Sequence, residues 1–168
     1  MVVSSYCLNE LAAEERKKAL VRLWEHTDKL LVLIEPGTPE GASQLREARK
    51  TLIEAGGYVV APCPSNGECT LPTDDWCHFT ARVARSKLHK QLKGGDAPYE
   101  DEKFCFLAVS KSEYCGKARI LRHPKIESGK ITLRLCTEQG ISDRIVTRKS
   151  PLFKAARKSD SGDSFDEC

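Results

Sequence analysis

Three cysteines, Cys63, Cys69 and Cys77, stand in a C-x5-C-x7-C spacing within a segment that local backbone structure does not organise. Pro62, Pro64, Gly67 and Pro72 interrupt any helix or ladder there, because proline lacks the N–H and glycine adds conformational freedom. Thiols in such a polar, broken loop are candidate ligands for a metal ion or metal–sulfur group, which would order a stretch the local backbone leaves loose. A structural cysteine is usually a small hydrophobe in a core strand. That description suits Cys7, Cys105 and Cys115 better, although the tight C-x2-C pairs of zinc sites are absent. In the stretch 131–136, Ile131, Leu133 and Leu135 alternate with Thr132, Arg134 and Cys136. Cys136 therefore points away from the apolar face and is the natural fourth ligand, but spacing alone does not choose it over Cys105 or Cys115.

The elements that must position these thiols read as α/β. Residues 2–6 form a strand that starts without a lead-in, as though the chain began within a sheet and an upstream half of the fold were missing. A helix follows over about 9–26. The continuous apolar run 30–34 is a strand buried on both faces, and it opens into a Pro/Gly loop, 35–41, at its carboxyl end, where open α/β sheets bind ligands. A helix over about 42–55 ends at Gly56-Gly57, and a strand at 58–61 leads into the cysteine loop. This β-α-β-α-β order predicts a parallel sheet with right-handed crossovers. A basic helix is expected over about 75–92, then a polar loop at 94–103, a buried strand at 104–109, and three strands near 119–122, 131–136 and 144–147 with Gly129 and Gly140 at their corners. Four segments result: 1–61 as partial core, 62–103 as cysteine loop and basic helix, 104–158 as last strands and basic hairpin, and 159–168 as a disordered tail.

Composition sets the function classes. The chain has 168 residues, 40% apolar and 30% charged, enough to bury one core. No run approaches a membrane span and no secretory signal is legible, so its eight cysteines are expected to be reduced thiols rather than disulfides. The formal charge of +3 hides strong segregation. No acid lies between Trp76 and Gly95, where Arg82, Arg85, Lys87, Lys90 and Lys93 occur, and 117–158 holds twelve Lys or Arg against Glu127, Glu138 and Asp143. Such excesses are the electrostatic footprint of an RNA-facing surface, with Arg82, Arg85, Lys87, Lys90, Arg119 and Arg122 as its candidates; a solvated helical face is the plainer alternative for the first group.

An ordered set of motifs then carries a resemblance: SSYCLNEL, LVLIEPGTPEG, LREARKTLIEAGG, VVAPCPSNGEC, WCHFTARVAR, YEDEKFCFLAVSK, ARILRHPKIESGKITLRLCTEQG and a final SGD. Over nearly its whole length the chain resembles the carboxyl-terminal half of the methyltransferase-like proteins associated with the mitochondrial ribosomal small subunit, which have bacterial relatives. The SGD lacks the aromatic that the family tends to place before its Gly-Asp.

What the resemblance implies is the carboxyl-terminal half of a class I, Rossmann-like methyltransferase sheet. The strand at Val2 would be its fourth, that at Leu30 its fifth and that at Phe104 its sixth, with the late strands supplying an antiparallel seventh and a small hairpin. It further implies a 4Fe-4S cluster whose ligands fall on Cys63, Cys69, Cys77 and Cys136, with zinc as the alternative occupant of four thiolates. S-adenosylmethionine would serve the intact family fold, but the acidic-Gly-x-Gly loop that lets backbone approach it is not in this chain. Ser5, Tyr6 and Asn9, at the carboxyl end of the first strand, are the candidate cofactor-side residues; turning the chain and capping the helix would use the same residue types. The expected partner is small-subunit ribosomal RNA, together with an upstream half of the fold. The compartment would be the cytoplasm for a bacterial-type protein or the mitochondrial matrix for a eukaryotic one. Three functions follow: an rRNA methyltransferase part, a non-catalytic RNA-binding assembly factor, or a zinc-clamped RNA-binding domain.

Overall fold

The structure is a computed structural model and describes residues 1–72 and 74–166. In chain order its elements are β1 (Val2–Ser5), a single 3-10 turn (Leu8–Glu10), α1 (Ala13–Glu25), β2 (Leu30–Pro36), α2 (Pro39–Glu54), β3 (Tyr58–Ala61), β4 (Phe79–Ala84), α3 (Lys87–Lys93), β5 (Tyr99–Ser110), β6 (Ala118–Ile120), β7 (Lys125–Glu127), β8 (Lys130–Thr137), β9 (Gly140–Thr147), α4 (Phe153–Lys158) and β10 (Ser164–Phe165). Among the described residues no helix is long and apolar enough to cross a membrane.

The first sheet has the order β1-β2-β5-β3. β1 and β2 are parallel, with Val3 opposite Val32, and α1 is the crossover between them. Local chemistry sets α2: the Thr38 hydroxyl accepts from Gly41 N at 3.1 Å and Pro39 occupies the first turn, where its missing N–H costs nothing. Gly56, at φ 82, lets the chain leave the helix toward β3. Leu20 and Trp24 of α1 and Leu45 and Leu52 of α2 bury against Leu31, Leu33, Leu107 and Val109 of the strands. Each such side chain contributes on the order of 1.5–3 kcal/mol by leaving water.

β5 separates β2 from β3 and runs antiparallel to both, with Val109 between Leu31 and Val59. The antiparallel role expected of the late strands therefore falls to the strand at Phe104, and Tyr58–Ala61 takes the place beyond it. β5 is long enough to serve twice, since its first half, Tyr99 to Phe104, pairs with β4.

That pairing corrects two expectations. Residues 75–92 do not form one basic helix: 79–84 is a strand, and only Lys87–Lys93 is helical, capped by Ser86 and closed by Gly94 in the left-handed region at φ 61. The aromatic and β-branched residues Phe79, Thr80 and Val83 favour the strand, and the hydrogen-bond partner that fixes it is the supposed polar loop, whose residues from Tyr99 onward belong to β5.

The late strands form a second sheet, β10-β6-β8-β7, with β9 also on β8. Ile131, Leu133 and Leu135 share its buried face with Ile120, Val146, Phe165 and Ala156 of α4, as the alternation predicts. The tail is not disordered where it is described: Ser164–Phe165 pairs with β6 and Phe165 is buried. Glu167 and Cys168 lie outside the described residues. Gly162, at φ 95, turns the tail against Phe79, which packs with Phe104 and Phe106 of β5 at ring-centroid separations of 6.2 and 5.4 Å. The aromatic group thus joins the two sheets.

Candidate metal centre

The loop between β3 and β4 leaves the same end of the first sheet at which β5 enters it, and Arg119 and Arg122, in and beside the second sheet, bond to that loop. Cys63 and Cys77 are half-buried, Cys69 is exposed, and all three line one concavity together with Cys105, Arg46 and Arg49. Cys136 is half-buried on β8, on the face opposite Leu135, as its register predicts.

Electrostatics shows how these thiols relate. Burial pushes the Cys77 thiol far above the ordinary thiol range, and the charges of Cys63, Cys105, Cys136 and Cys69 push it further. Burial also raises Cys136, to about 11, again with Cys63 and Cys69 as the charged neighbours, while Arg49 and Arg119 oppose the rise. Cys63 is raised by burial and by Cys69, against the pull of Arg49 and Arg119. Cys63, Cys69, Cys77, Cys105 and Cys136 are thus close enough to feel one another's charge. Cys105 shares the concavity with Cys63, Cys69 and Cys77; it is buried, raised by burial to about 11, and donates its S–H to the Cys77 carbonyl at 3.0 Å. Cys115 is exposed, with its sulfur 4.0 Å from the Gly116 carbonyl oxygen, and Cys7 is exposed beside the Ser5 carbonyl.

The loop is not left to a ligand for its order, which corrects the reading from its prolines and glycines. Asn66 bridges its own strand, accepting from Val59 N at 2.8 Å and donating to Gly57 O at 3.0 Å. From α2, Arg49 donates to Ser65 O at 2.9 Å and Gly67 O at 2.5 Å, and Arg46 donates to Asp75 O at 2.8 Å. Trp76 donates its indole N–H to Gly37 O at 3.0 Å. From the second sheet, Arg119 Nε donates to Pro62 O at 3.4 Å, and Arg122 pairs with the Asp75 carboxylate. Gly116 backs so closely onto Pro64 that a Cβ there would lie 2.7 Å from its carbonyl oxygen.

Among the described residues no three His, Cys, Asp or Glu side chains are drawn together tightly enough to hold a single metal ion. The donor set nonetheless fits a metal–sulfur group. Thiols are the ligand type such groups take, and one polar atom in the same wall lacks a partner: Arg49 Nε is buried without a hydrogen-bond acceptor. The raised thiols describe neutral sulfur in low dielectric; a bound metal reverses that balance and holds thiolates.

The candidate RNA-facing cations fare differently from the expectation. Arg82 makes a two-pronged pair with Asp101 at 2.8 and 3.0 Å, and Arg85 pairs with Glu100 at 3.1 Å. Glu100 also faces His89 at 3.2 Å and pairs with Lys93. The acids absent from 77–94 are thus supplied by β5, so this surface is not the undiluted basic one expected. Arg119 spends its guanidinium on Pro62 and, at 2.9 Å, on Gly162 O, and Arg122 on Leu121 O and Asp75. Lys87 and Lys90 have no acid within ion-pair distance among the described residues. The same holds for exposed Arg148, Lys149, Lys154, Arg157 and Lys158, which the sequence reading counted but did not single out.

Ser5, Tyr6 and Asn9 stand at the carboxyl end of β1. Tyr6 adopts φ 54 and donates its N–H to Ile34 O at 2.8 Å; Asn9 donates its own to the Glu35 carboxylate at 3.3 Å. Glu35, fully buried, also accepts from Leu8 N at 3.0 Å. The Tyr6 and Asn9 backbone donors are used within the chain, so they offer no amide cradle for a nucleoside-sized methyl donor, and the buried Asn9 Oδ1 is left without a partner. Glu35 was missed in the sequence, although an acid ending an apolar run next to Pro36 is a signal that could have marked it.

The family described as mitochondrial small ribosomal subunit Rsm22 matches residues 1–166. A human relative, "Ribosome assembly protein METTL17, mitochondrial", is 34% identical over 90 residues, a stretch covering 48% of this chain and 20% of the human protein. The matched region thus spans about a fifth of that relative's length.

Proposed function

The chain belongs to the mitochondrial small ribosomal subunit Rsm22 family, and on that premise we propose that it acts in small-subunit assembly as an RNA-binding platform clamped by a four-iron, four-sulfur group on Cys63, Cys69, Cys77 and Cys136. The observation that carries this reading is a concavity lined by Cys63, Cys69 and Cys77 of the loop after β3, with Cys136 on the outer face of β8 beside Arg119, which grips the same loop. A group bound there ties the two sheets together, and its binding free energy becomes folding free energy. Such a group supplies rigidity, and electron transfer where its potential allows; the chain's own residues align the loop through Arg46, Arg49 and Arg119.

The non-catalytic reading is favoured over methyl transfer because the amides of Tyr6 and Asn9 are already bonded within the chain. The RNA face is assigned to Arg148, Lys149, Lys154, Arg157 and Lys158, with Lys87 and Lys90, which have no acid partner among the described residues, rather than to Arg82 and Arg85. That the human relative is a mitochondrial ribosome assembly protein supports ribosome assembly in mitochondria as the setting.

Anaerobic purification with iron, sulfide and zinc measured on one sample tests the centre. A brown protein with iron and sulfide in equal amounts supports it; a colourless protein with zinc replaces the group, and a metal-free folded protein removes it.

A further inference from the structure

Three arginines surround the thiols, and they are not equivalent. Arg46 is bonded to the Asp75 carbonyl, and Arg119 to the Pro62 and Gly162 carbonyls. Arg49 places one terminal nitrogen on two loop carbonyls, Ser65 and Gly67, which bracket the chain between Cys63 and Cys69. That grip turns the rest of the guanidinium toward the cysteine concavity, where it adjoins the Cys63 thiol while its buried Nε–H has no hydrogen-bond acceptor of its own.

A buried donor without a partner is costly, more so when it is charged. Native proteins rarely keep one without a reason. An acceptor is needed at this place, and the wall around it offers sulfur. A four-thiolate iron–sulfur group carries net negative charge, so its burial also calls for a fixed cation nearby.

We propose that Arg49 is the outer hydrogen-bond donor of the centre, its Nε–H directed to a sulfur of the group at the Cys63–Cys69 edge. This inference rests on the four-cysteine reading above. Arg49 is a positioning residue: it touches the group's sulfur, not its iron, and holds the loop that carries two ligands. An N–H donated to sulfur, and a positive charge beside it, stabilise the reduced, more negative state and raise the reduction potential. Lysine at this position keeps the charge and loses the fork that serves loop and sulfur together.

The test compares the full chain with Arg49→Lys and Arg46→Lys, all prepared anaerobically, with iron and sulfide counted and the midpoint potential read by titration with dithionite, which supplies the electron. The expected result is a midpoint moved to more negative potential in Arg49→Lys and unmoved in Arg46→Lys, at equal iron content. An unmoved midpoint in Arg49→Lys overturns the proposal. Where Arg49→Lys holds no iron, the parent prepared with 15N-labelled arginine decides by pulsed EPR of the reduced group. A nitrogen coupling that persists in Arg46→Lys and Arg119→Lys supports Arg49, and no coupling overturns it. A parent that never binds iron is a different outcome, because it removes the four-cysteine reading itself and this inference with it.

Discussion

Arg119 and Cys136 are register partners across the β6–β8 ladder, and from that shared rung Arg119 reaches the Pro62 carbonyl, the residue next to Cys63. One rung of the second sheet therefore presents both a candidate ligand and a clamp on the loop that carries the others. Arg119→Leu removes bonds to Pro62 and Gly162 and leaves both carbonyls without that donor. Bonds from a charged donor are each worth about 1.5–3 kcal/mol; the long one to Pro62 lies below that range. The expected outcome is a loss of about 2 kcal/mol in urea unfolding and a lower iron-to-protein ratio at equal expression. A variant with parental stability and iron content would show that the rung is not a clamp.

Periodicity made the two helices, the strand at Leu30 and the Ile131-Leu133-Leu135 face legible, because burial on one side imposes a repeat. It also placed Cys136 on the outer face. What it missed depended on partners distant in sequence. The basic run at 79–84 is a strand only because β5 lies beside it, and its acids arrive from 100 and 101. Phe165 orders the tail through β6, a contact that no local Ser/Asp/Gly composition announces. Arg49 and Glu35 matter through single buried atoms, which leave no pattern in a sequence.

The RNA surface gives a second prediction, read as the dependence of binding on salt. Each phosphate neutralised contributes about 0.7 to the slope of log K against log salt for single strands and about 0.9 for duplex DNA. Replacing Lys149 and Lys154 by Ala should lower the slope by about 1–2, since neither has an acid partner among the described residues. Replacing Arg82 and Arg85 should leave it nearly unchanged, because Asp101 and Glu100 already neutralise them. The opposite pattern, measured by fluorescence anisotropy on small-subunit rRNA fragments, would return the interface to β4.

Glu35 makes stability depend on pH. Its burial raises the folded pKa above the ordinary carboxyl value, although the N–H groups of Leu8 and Asn9 and the charge of Arg16 pull the other way. The folded state therefore binds the proton more tightly than the unfolded chain. This contribution is fully present below the unfolded pKa, about 4.5, and is lost as pH rises through the raised folded value. In Glu35→Gln that component disappears while one oxygen remains to accept an N–H. Subtracting the variant's urea midpoint from the parent's across this range should give a gap that narrows as pH rises; a gap that is flat or widens contradicts the assignment.

Cys105 and Cys136 compete for the fourth ligand position: Cys105 lines the concavity with Cys63, Cys69 and Cys77, whereas Cys136 reaches toward it from β8. Cys105 is held by its S–H bond to the Cys77 carbonyl, so taking on a metal would cost that bond and deprotonate a thiol raised by burial to about 11. Cys136 is raised as far, but Cys63 and Cys69 are its charged neighbours, the very groups whose repulsion a shared metal would relieve. Cys136→Ser should therefore lose the visible absorption and most of its iron, and should uncouple the second sheet so that unfolding broadens. Cys105→Ala should keep both iron and spectrum, with a modest loss of stability from the vacated methylene-sized space and the freed Cys77 carbonyl, about 1–2 kcal/mol. Reversal of the two phenotypes would place the whole centre within the first sheet and its loop. In that case the second sheet would be docked by Arg119, Arg122 and the Phe79 contact alone, and chelation of iron would leave its unfolding unchanged.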